Sequence, residues 1–130
     1  MTASDYDTRF GGIQRLYGRE PGARIRALRV CVIGIGGVGS WAVEALARSG
    51  VEDLTLIDYD EICLSNVNRQ VHALDDALGR KKIAAMAQRV QQINADCRCT
   101  LVDDFISDRN LFDYLPPDRP FDYVIDAIDS

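Results

Sequence analysis

Cysteine pairs at metal-binding spacing are missing from this sequence. Cys31, Cys63, Cys97 and Cys99 form no CxxC, which removes the main signature of a structural zinc site. An export signal is missing too: MTASDYDTRF carries acids where a signal peptide has a positive region followed by apolar residues. The chain is therefore expected in the cytoplasm, where a disulfide framework is not, and each cysteine is read as a small buried or half-buried residue. Long hydrophobic runs are absent. The longest uncharged stretch, residues 30–43, is shorter than the roughly 20 residues a spanning helix needs and is interrupted by Gly34, Gly36, Gly37 and Gly39, so no membrane association is expected. There is no internal repeat, low-complexity tract or hydrophilic linker, and histidine occurs once, at His72. Net positive charge is lacking as well: 15 basic against 20 acidic side chains give −5, which excludes a uniformly basic coat for nucleic acid. The deficit is uneven, +3 over residues 1–50 and −8 over residues 51–130, so a polyanion would meet the first half.

What is present fits one domain, or part of one, in 130 residues. Residues 1–28 read as a basic N-terminal helical arm: residues 9–29 hold six arginines and one glutamate, and Pro21-Gly22 divides the segment into a helix and a connector. From residue 29 onward, strand and helix alternate. Residues 29–34 (RVCVIG) are a β-branched strand, and residues 40–48 an amphipathic helix closed by Gly50. Residues 53–58 are a second strand, 64–78 mostly loop, and 82–94 a helix with Ile83, Met86, Val90 and Ile93 on one face. Residues 98–102 are a third strand, 108–115 a short helix, 116–120 a rigid loop and 121–128 a fourth, interior strand. Such alternation specifies an α/β fold, a Rossmann-like parallel sheet with helices on both faces. Because the chain stops at Ser130, straight after a strand that should lie inside the sheet, residues 29–130 are expected to be the first part of a nucleotide-binding domain truncated after its fourth strand.

The residues that carry chemistry begin with Gly34-Ile-Gly36-Gly37-Val-Gly39, a GxGxxG spacing set between a strand and a helix. There the glycines let the backbone turn and approach a phosphate, and the helix N-terminus supplies amide donors. Asp58, 19 residues after Gly39 at the end of the second strand, is placed to accept from ribose hydroxyls. These two features alone fit NAD. The polar residues C-terminal to Asp58 do not suit hydride transfer: Asp60, Ser65, Asn66, Asn68, Arg69 and Gln70, then Lys82, then Asp126 and Asp129. Arg69 and Lys82 can neutralise charge on phosphate oxygens, and Asp129, a carboxylate at a strand's C-terminal end, can hold magnesium. Singly each has a plain reading, as a loop ion pair, a solvated lysine or a strand-end cap; together they point to a nucleoside triphosphate. His72 could serve as a base, but reads better as a loop residue near the nucleotide. Trp41 could stack on a base, but its helical position favours packing.

In these blocks the sequence resembles the ThiF-type, ubiquitin-activating-enzyme-like adenylyltransferases, over roughly residues 9–130. Within that family it is most similar to the branch acting on threonylcarbamoyladenosine in tRNA, through RFGGIQRLYG at 9–18, VCVIGIGGVGSWAVEALARSG at 30–50, NRQVHAL at 68–74, VDDFIS at 102–107 and YVIDAIDS at 123–130. The resemblance implies that Gly34, Gly36, Gly37, Gly39 and Asp58 hold ATP, with Asp60 a second and weaker candidate. It implies that Asn66 or Asn68, Arg69 and Lys82 surround the triphosphate, and that Asp129 positions magnesium, with Arg69, Lys82 and Asp129 catalytic. The activity implied is ATP-dependent adenylation of the threonyl carboxylate, followed by ring closure with loss of water and release of AMP and pyrophosphate.

The implied partners are tRNA carrying threonylcarbamoyladenosine, a second copy of the chain in a homodimer, and a sulfur-transfer or accessory protein. Two other readings stay open: adenylation of the C-terminal glycine of a ubiquitin-like sulfur carrier, and a plain NAD-binding Rossmann protein. The pattern departs from the sulfur-carrier activators at Gly12, where they have an arginine that reaches the partner subunit's site. Arg15 is the nearest substitute. It departs again at Asp129-Ser130, where they have Asp-Asn. The fragment alone is expected to be inactive.

Overall fold

A computed structural model describes residues 2–129, without the side chains of residues 3 and 4. Four parallel strands, β1 (Arg29–Ile33), β2 (Asp53–Asp58), β3 (Arg98–Asp103) and β4 (Tyr123–Asp126), form one sheet in the order β3-β2-β1-β4. β1 and β2 are the central pair and are buried almost throughout, so they read as continuous apolar runs without alternation.

Helices α3 (Gly39–Arg48) and α4 (Lys82–Ile93) cover one face. Val43, Ala47, Ile83, Met86 and Val90 pack there against Val30, Val32, Leu54 and Leu56. The other face carries Cys31, Ile33 and Ile57 under Val102, Ile106, Tyr114, Leu115 and Phe121, the last residues belonging to the short helix α5 (Leu111–Tyr114) and its flanking loop. Right-handed crossovers explain the division. β1-α3-β2-α4-β3 advances in one direction with its helices on one side, and the connection back across to β4 places α5 on the opposite side. The alternation of the sequence therefore yields the Rossmann-like α/β sheet with helices on both faces that it specifies.

The first 28 residues hold α1 (Ala3–Tyr17) and α2 (Arg19–Arg26). Thr2 and Asp5 close a capping box at the start of α1. Both helices are tied to the sheet unit: the Tyr6 hydroxyl donates to the Gly50 carbonyl at 2.7 Å, and Arg26 pairs with Glu52 at 2.7 Å while lying over the Tyr6 ring. Pro21-Gly22 does not form the expected connector. It lies inside α2, in the first turn, where the missing proline N–H has no intrahelical partner to lose; the helix break falls instead at Gly18, with φ 103°.

The fourth strand is shorter than expected and lies at the sheet's border among the described residues. β1 offers only five residues, which pair Val30–Ile33 with Tyr123–Asp126, and Tyr123 and Val124 are exposed. The short helix also starts later than residue 108, because Asn110 accepts the Ser107 amide and so fixes a turn there. Ser130, part of the Asp-Ser ending of the last motif, lies outside the described residues. No helix among the described residues is long and apolar enough to cross a membrane.

Candidate functional site

Three segments meet at the C-terminal edge of the sheet: residues 34–39 after β1, 58–60 after β2 and 127–129 after β4. The strand order reverses between β1 and β4, and a doubly wound sheet opens its crevice at such a reversal. A cleft of about 690 Å³ lies there, within the range of ordinary small-molecule sites.

The glycine loop turns at this edge because no side chain fits. Gly34 has φ +89°, and a β-carbon on it would stand 2.8 Å from the Ala127 carbonyl oxygen; one on Gly39 would overlap the Gly34 carbonyl outright. α3 is thereby drawn tight against the end of β1. Its N-terminus has no side-chain cap; the Ser40 amide is taken by the Gly36 carbonyl at 3.0 Å, and the amides of the glycine loop before it are the ones open to a ligand.

The loop is clamped on both sides of one residue, Ile35. Asp58 accepts the Ile35 N–H at 2.7 Å with one carboxylate oxygen and the Asp60 N–H at 2.8 Å with the other. His72 meets the Ile35 carbonyl at 2.8 Å through Nε2. A carbonyl only accepts, so Nε2 carries the proton, and Nδ1 is left buried without a partner among the described residues. Burial pushes the imidazole below its ordinary titration range, against the stabilising hydrogen bond to Ile35, and the Lys82 charge adds to the lowering. His72 is thus a neutral support beneath the loop, in the loop position expected for it, and not a group facing the cleft.

Arg69 reaches the cleft from the long loop before α4. That loop is fastened to α3 twice, by the Val71 amide donating to Ser40 Oγ at 3.2 Å and by the Trp41 indole N–H donating to the Arg69 carbonyl at 2.8 Å. Trp41 is a tether and does not line the cleft. The Arg69 guanidinium donates to the Ser65 carbonyl and to Asn68 Oδ1, at 3.1 and 2.9 Å, while its Cδ lies 3.5 Å from where a Gly37 β-carbon would be.

Lys82 opens α4 and is only 8% exposed, yet it makes no ion pair among the described residues. Its stem is packed away while its ammonium opens on the cleft without a counter-ion, a placement that suits an incoming anion.

Of the residues singled out from the sequence, Gly34, Gly36, Gly37, Asp58, Asp60, Arg69, Lys82 and Asp129 line the cleft together. Gly39 lies behind them, at the loop-helix contact. Asn66 and Asn68 do not line it: Asn66 is buried and accepts the Cys63 amide at 2.8 Å, closing a turn, and Asn68 orients Arg69. Asp129 is exposed and makes no hydrogen bond to the other described residues. Tyr59, Phe105 and Ile106 supply an apolar wall that sequence reasoning missed, with the Tyr59 and Phe105 rings 5.4 Å apart. The available signal was positional, since each lies just beyond the C-terminal end of a strand. Cys31, pushed up to about 11 by burial, and Cys97 are interior; Cys99 is half-buried and Cys63 exposed. No group of three metal-binding side chains occurs among the described residues.

A glycine loop, two cations and a carboxylate at the reversal point of a parallel sheet define a Rossmann-like α/β fold with a cleft suited to a nucleotide, and this chain belongs to the ThiF family, whose model matches residues 11–130. Among its relatives, the tRNA threonylcarbamoyladenosine dehydratase of Haemophilus influenzae is 56% identical over 126 residues, covering 97% of this chain and 48% of the relative. The molybdopterin-synthase adenylyltransferase of the same organism is 32% identical, covering 82% of this chain and 43% of the relative. Among solved structures, the Escherichia coli tRNA N6-threonylcarbamoyladenosine dehydratase, TcdA, in complex with ATP superposes with a TM-score of 0.95 at 49% identity, covering 100% of this chain and 53% of that one. The chain spans about half the length of the dehydratases it matches.

Proposed function

We propose that this chain forms the nucleotide-binding part of an enzyme that uses ATP to adenylate the threonyl carboxylate of threonylcarbamoyladenosine in tRNA with release of pyrophosphate, after which the neighbouring carbamoyl group attacks the acyl carbon, closing the ring and expelling AMP, so that the substrate is dehydrated overall. The observation that carries the reading is Lys82, buried and unpaired in the same cleft as the glycine loop and Arg69. The similarity to the named dehydratases, higher than to the adenylyltransferase that serves molybdopterin synthase, supports the choice of acceptor.

In this reading residues 34–39 receive the phosphates, Gly36 and Gly37 letting the backbone come close. The Tyr59 and Phe105 rings take the base, and the cleft edge at Asp58 and Asp60 takes the ribose. Arg69 and Lys82 hold the charge that grows on the α-phosphate and on departing pyrophosphate as the carboxylate attacks. Asp129, and less directly Asp60, fits a magnesium ion: lone carboxylates beside a phosphate site suit a metal bound mainly by substrate oxygens and water. When bound, that ion draws charge from the phosphates and aligns the pyrophosphate. The chain's own contribution is positioning and electrostatic stabilisation. The enzyme works as a cytoplasmic homodimer in this reading.

The test is AMP release by the full-length protein with ATP, comparing tRNA bearing threonylcarbamoyladenosine with a diglycine-ended sulfur carrier. Release with the modified tRNA alone is expected. Release with the carrier alone transfers the chain to the sulfur-carrier activators, and calorimetry showing tighter binding of NAD than of ATP discards adenylation altogether.

A further inference from the structure

We propose that a second anion site, for a phosphate of the RNA backbone, lies at the opposite end of the sheet from the nucleotide cleft, between Arg9, Arg48 and Arg89. These side chains come from α1, α3 and α4 and surround a cavity of about 420 Å³ floored by Phe10 and Ile93. The proposal rests on the tRNA reading of the nucleotide cleft and names one contact of that partner.

The cavity has a built frame. The Glu44 carboxylate is nearly buried, its side chain 8% exposed, and it receives Arg89 at 2.6 and 3.1 Å and Arg48 at 2.7 Å. Burial pushes Glu44 toward protonation, but the hydrogen bonds from Arg89 and Arg48 outweigh it and keep the group ionised. One carboxylate thus fixes two guanidiniums in place. Arg9 is fixed separately, donating to the Ile93 carbonyl at 3.2 Å, where the C-terminal end of α4 welcomes a cation.

Three guanidiniums meet the Glu44 carboxylate, and Asp5, one turn before Arg9 and within reach of its charge, offsets a part, which leaves a net excess of at least one positive charge. The bonds just named leave both terminal nitrogens of Arg48, Nη1 of Arg89 and Nη2 of Arg9 without a partner among the described residues. Converging like charges repel unless an anion enters, and pinned guanidinium forks are the groups best shaped to take a phosphate. The cavity lacks the glycine loop and paired aromatic rings that the nucleotide cleft offers a nucleoside, so its occupant is a phosphate presented by a larger molecule. α3 runs from the cleft to this cavity; its ten residues span about 15 Å, or four to five nucleotides of a stacked strand. An RNA with one base in the cleft reaches the cavity with its own backbone.

The experiment measures tRNA binding by the full-length protein as a function of salt, for the wild type, Arg9→Gln/Arg48→Gln and Arg9→Lys/Arg48→Lys. Both positions are exposed and leave the Arg89–Glu44 pair intact; Arg48→Gln alone serves if the double variant melts early. The Gln pair should bind tRNA about tenfold more weakly at moderate salt and lower the slope of log K against log salt by roughly 0.7 to 0.9, the share of one phosphate, with ATP affinity unchanged. The Lys pair should keep most of the slope. Wild-type affinity and slope in a folded Gln variant overturn the site. A phosphorus NMR titration showing inorganic phosphate bound at these arginines, with tRNA binding unaffected, also overturns it, since the cavity then serves a free anion. Failure of the parent reading shows separately, as no AMP release from modified tRNA by the wild type.

Discussion

Gly39→Ala and Gly36→Ala make a matched pair, because both lie in the same loop and the structure assigns them opposite consequences. A β-carbon on Gly39 would overlap the Gly34 carbonyl oxygen and stand 2.8 Å from its carbon, whereas one on Gly36 finds nothing nearer than Gln70 Nε2 at 3.9 Å. To admit the methyl at 39, α3 or the loop must retreat. The bonds at risk are those of the Ile35 backbone, from its N–H to the Asp58 carboxylate and to its carbonyl from His72. A charge-assisted bond contributes about 1.5 to 3 kcal/mol and a neutral one about 1, so Gly39→Ala should cost about 2.5 to 4 kcal/mol. At about 4 °C per kcal/mol, suited to 130 residues, that is a fall of roughly 10 to 16 °C in melting temperature. Gly36→Ala should be neutral to about 1 kcal/mol stabilising, since it removes freedom from the unfolded chain. Its methyl nevertheless enters the space where a phosphate would approach, and ATP affinity should fall at least about tenfold. Thermal melts with ATP titrations read both effects. Wild-type melting in Gly39→Ala would refute the close loop-helix contact, and wild-type ATP affinity in Gly36→Ala would refute phosphate binding on the loop.

Arg69→Ala and Lys82→Ala should each lower the rate of pyrophosphate exchange by about 10²-fold or more with smaller effects on ATP affinity, because charge on the phosphates grows in the transition state; near-normal turnover in both would make these side chains structural. Asp58→Ala should raise the Michaelis constant for ATP and leave turnover closer to normal, and the two amides it serves predict an added stability loss of about 3 to 6 kcal/mol, measured by urea unfolding. His72 has a depressed folded-state pKa, so its contribution is fully present above its ordinary value of about 6.5 and is lost as pH falls below that. Wild-type urea midpoints should therefore drop between pH 7.5 and 5, and His72→Gln, which can still donate to the Ile35 carbonyl, should flatten that part of the drop.

The parallel sheet and the glycine loop at its edge were legible from one dimension because both rest on local signals. The β-branched run at residues 29–34, the glycines after it and the helix beyond them set strand, turn and helix start within twenty residues, and Asp58 at the end of the next strand lands beside them through parallel register. Pro21 misled because its effect depends on its position within a helical turn, which was set by where α1 ended at Gly18. The length of β4 was decided by its partner, since a strand pairs only as far as its neighbour extends. Asn66 has the residue type of a ligand, but only the folded loop shows its oxygen occupied by the Cys63 amide. Tertiary structure alone decided what each charge faces. It left Lys82 buried without a counter-ion, joined Glu44 to Arg89 across 45 residues, and placed His72 under a peptide 37 residues away. Burial and pairing depend on which distant segments meet, and no spacing along the chain encodes that.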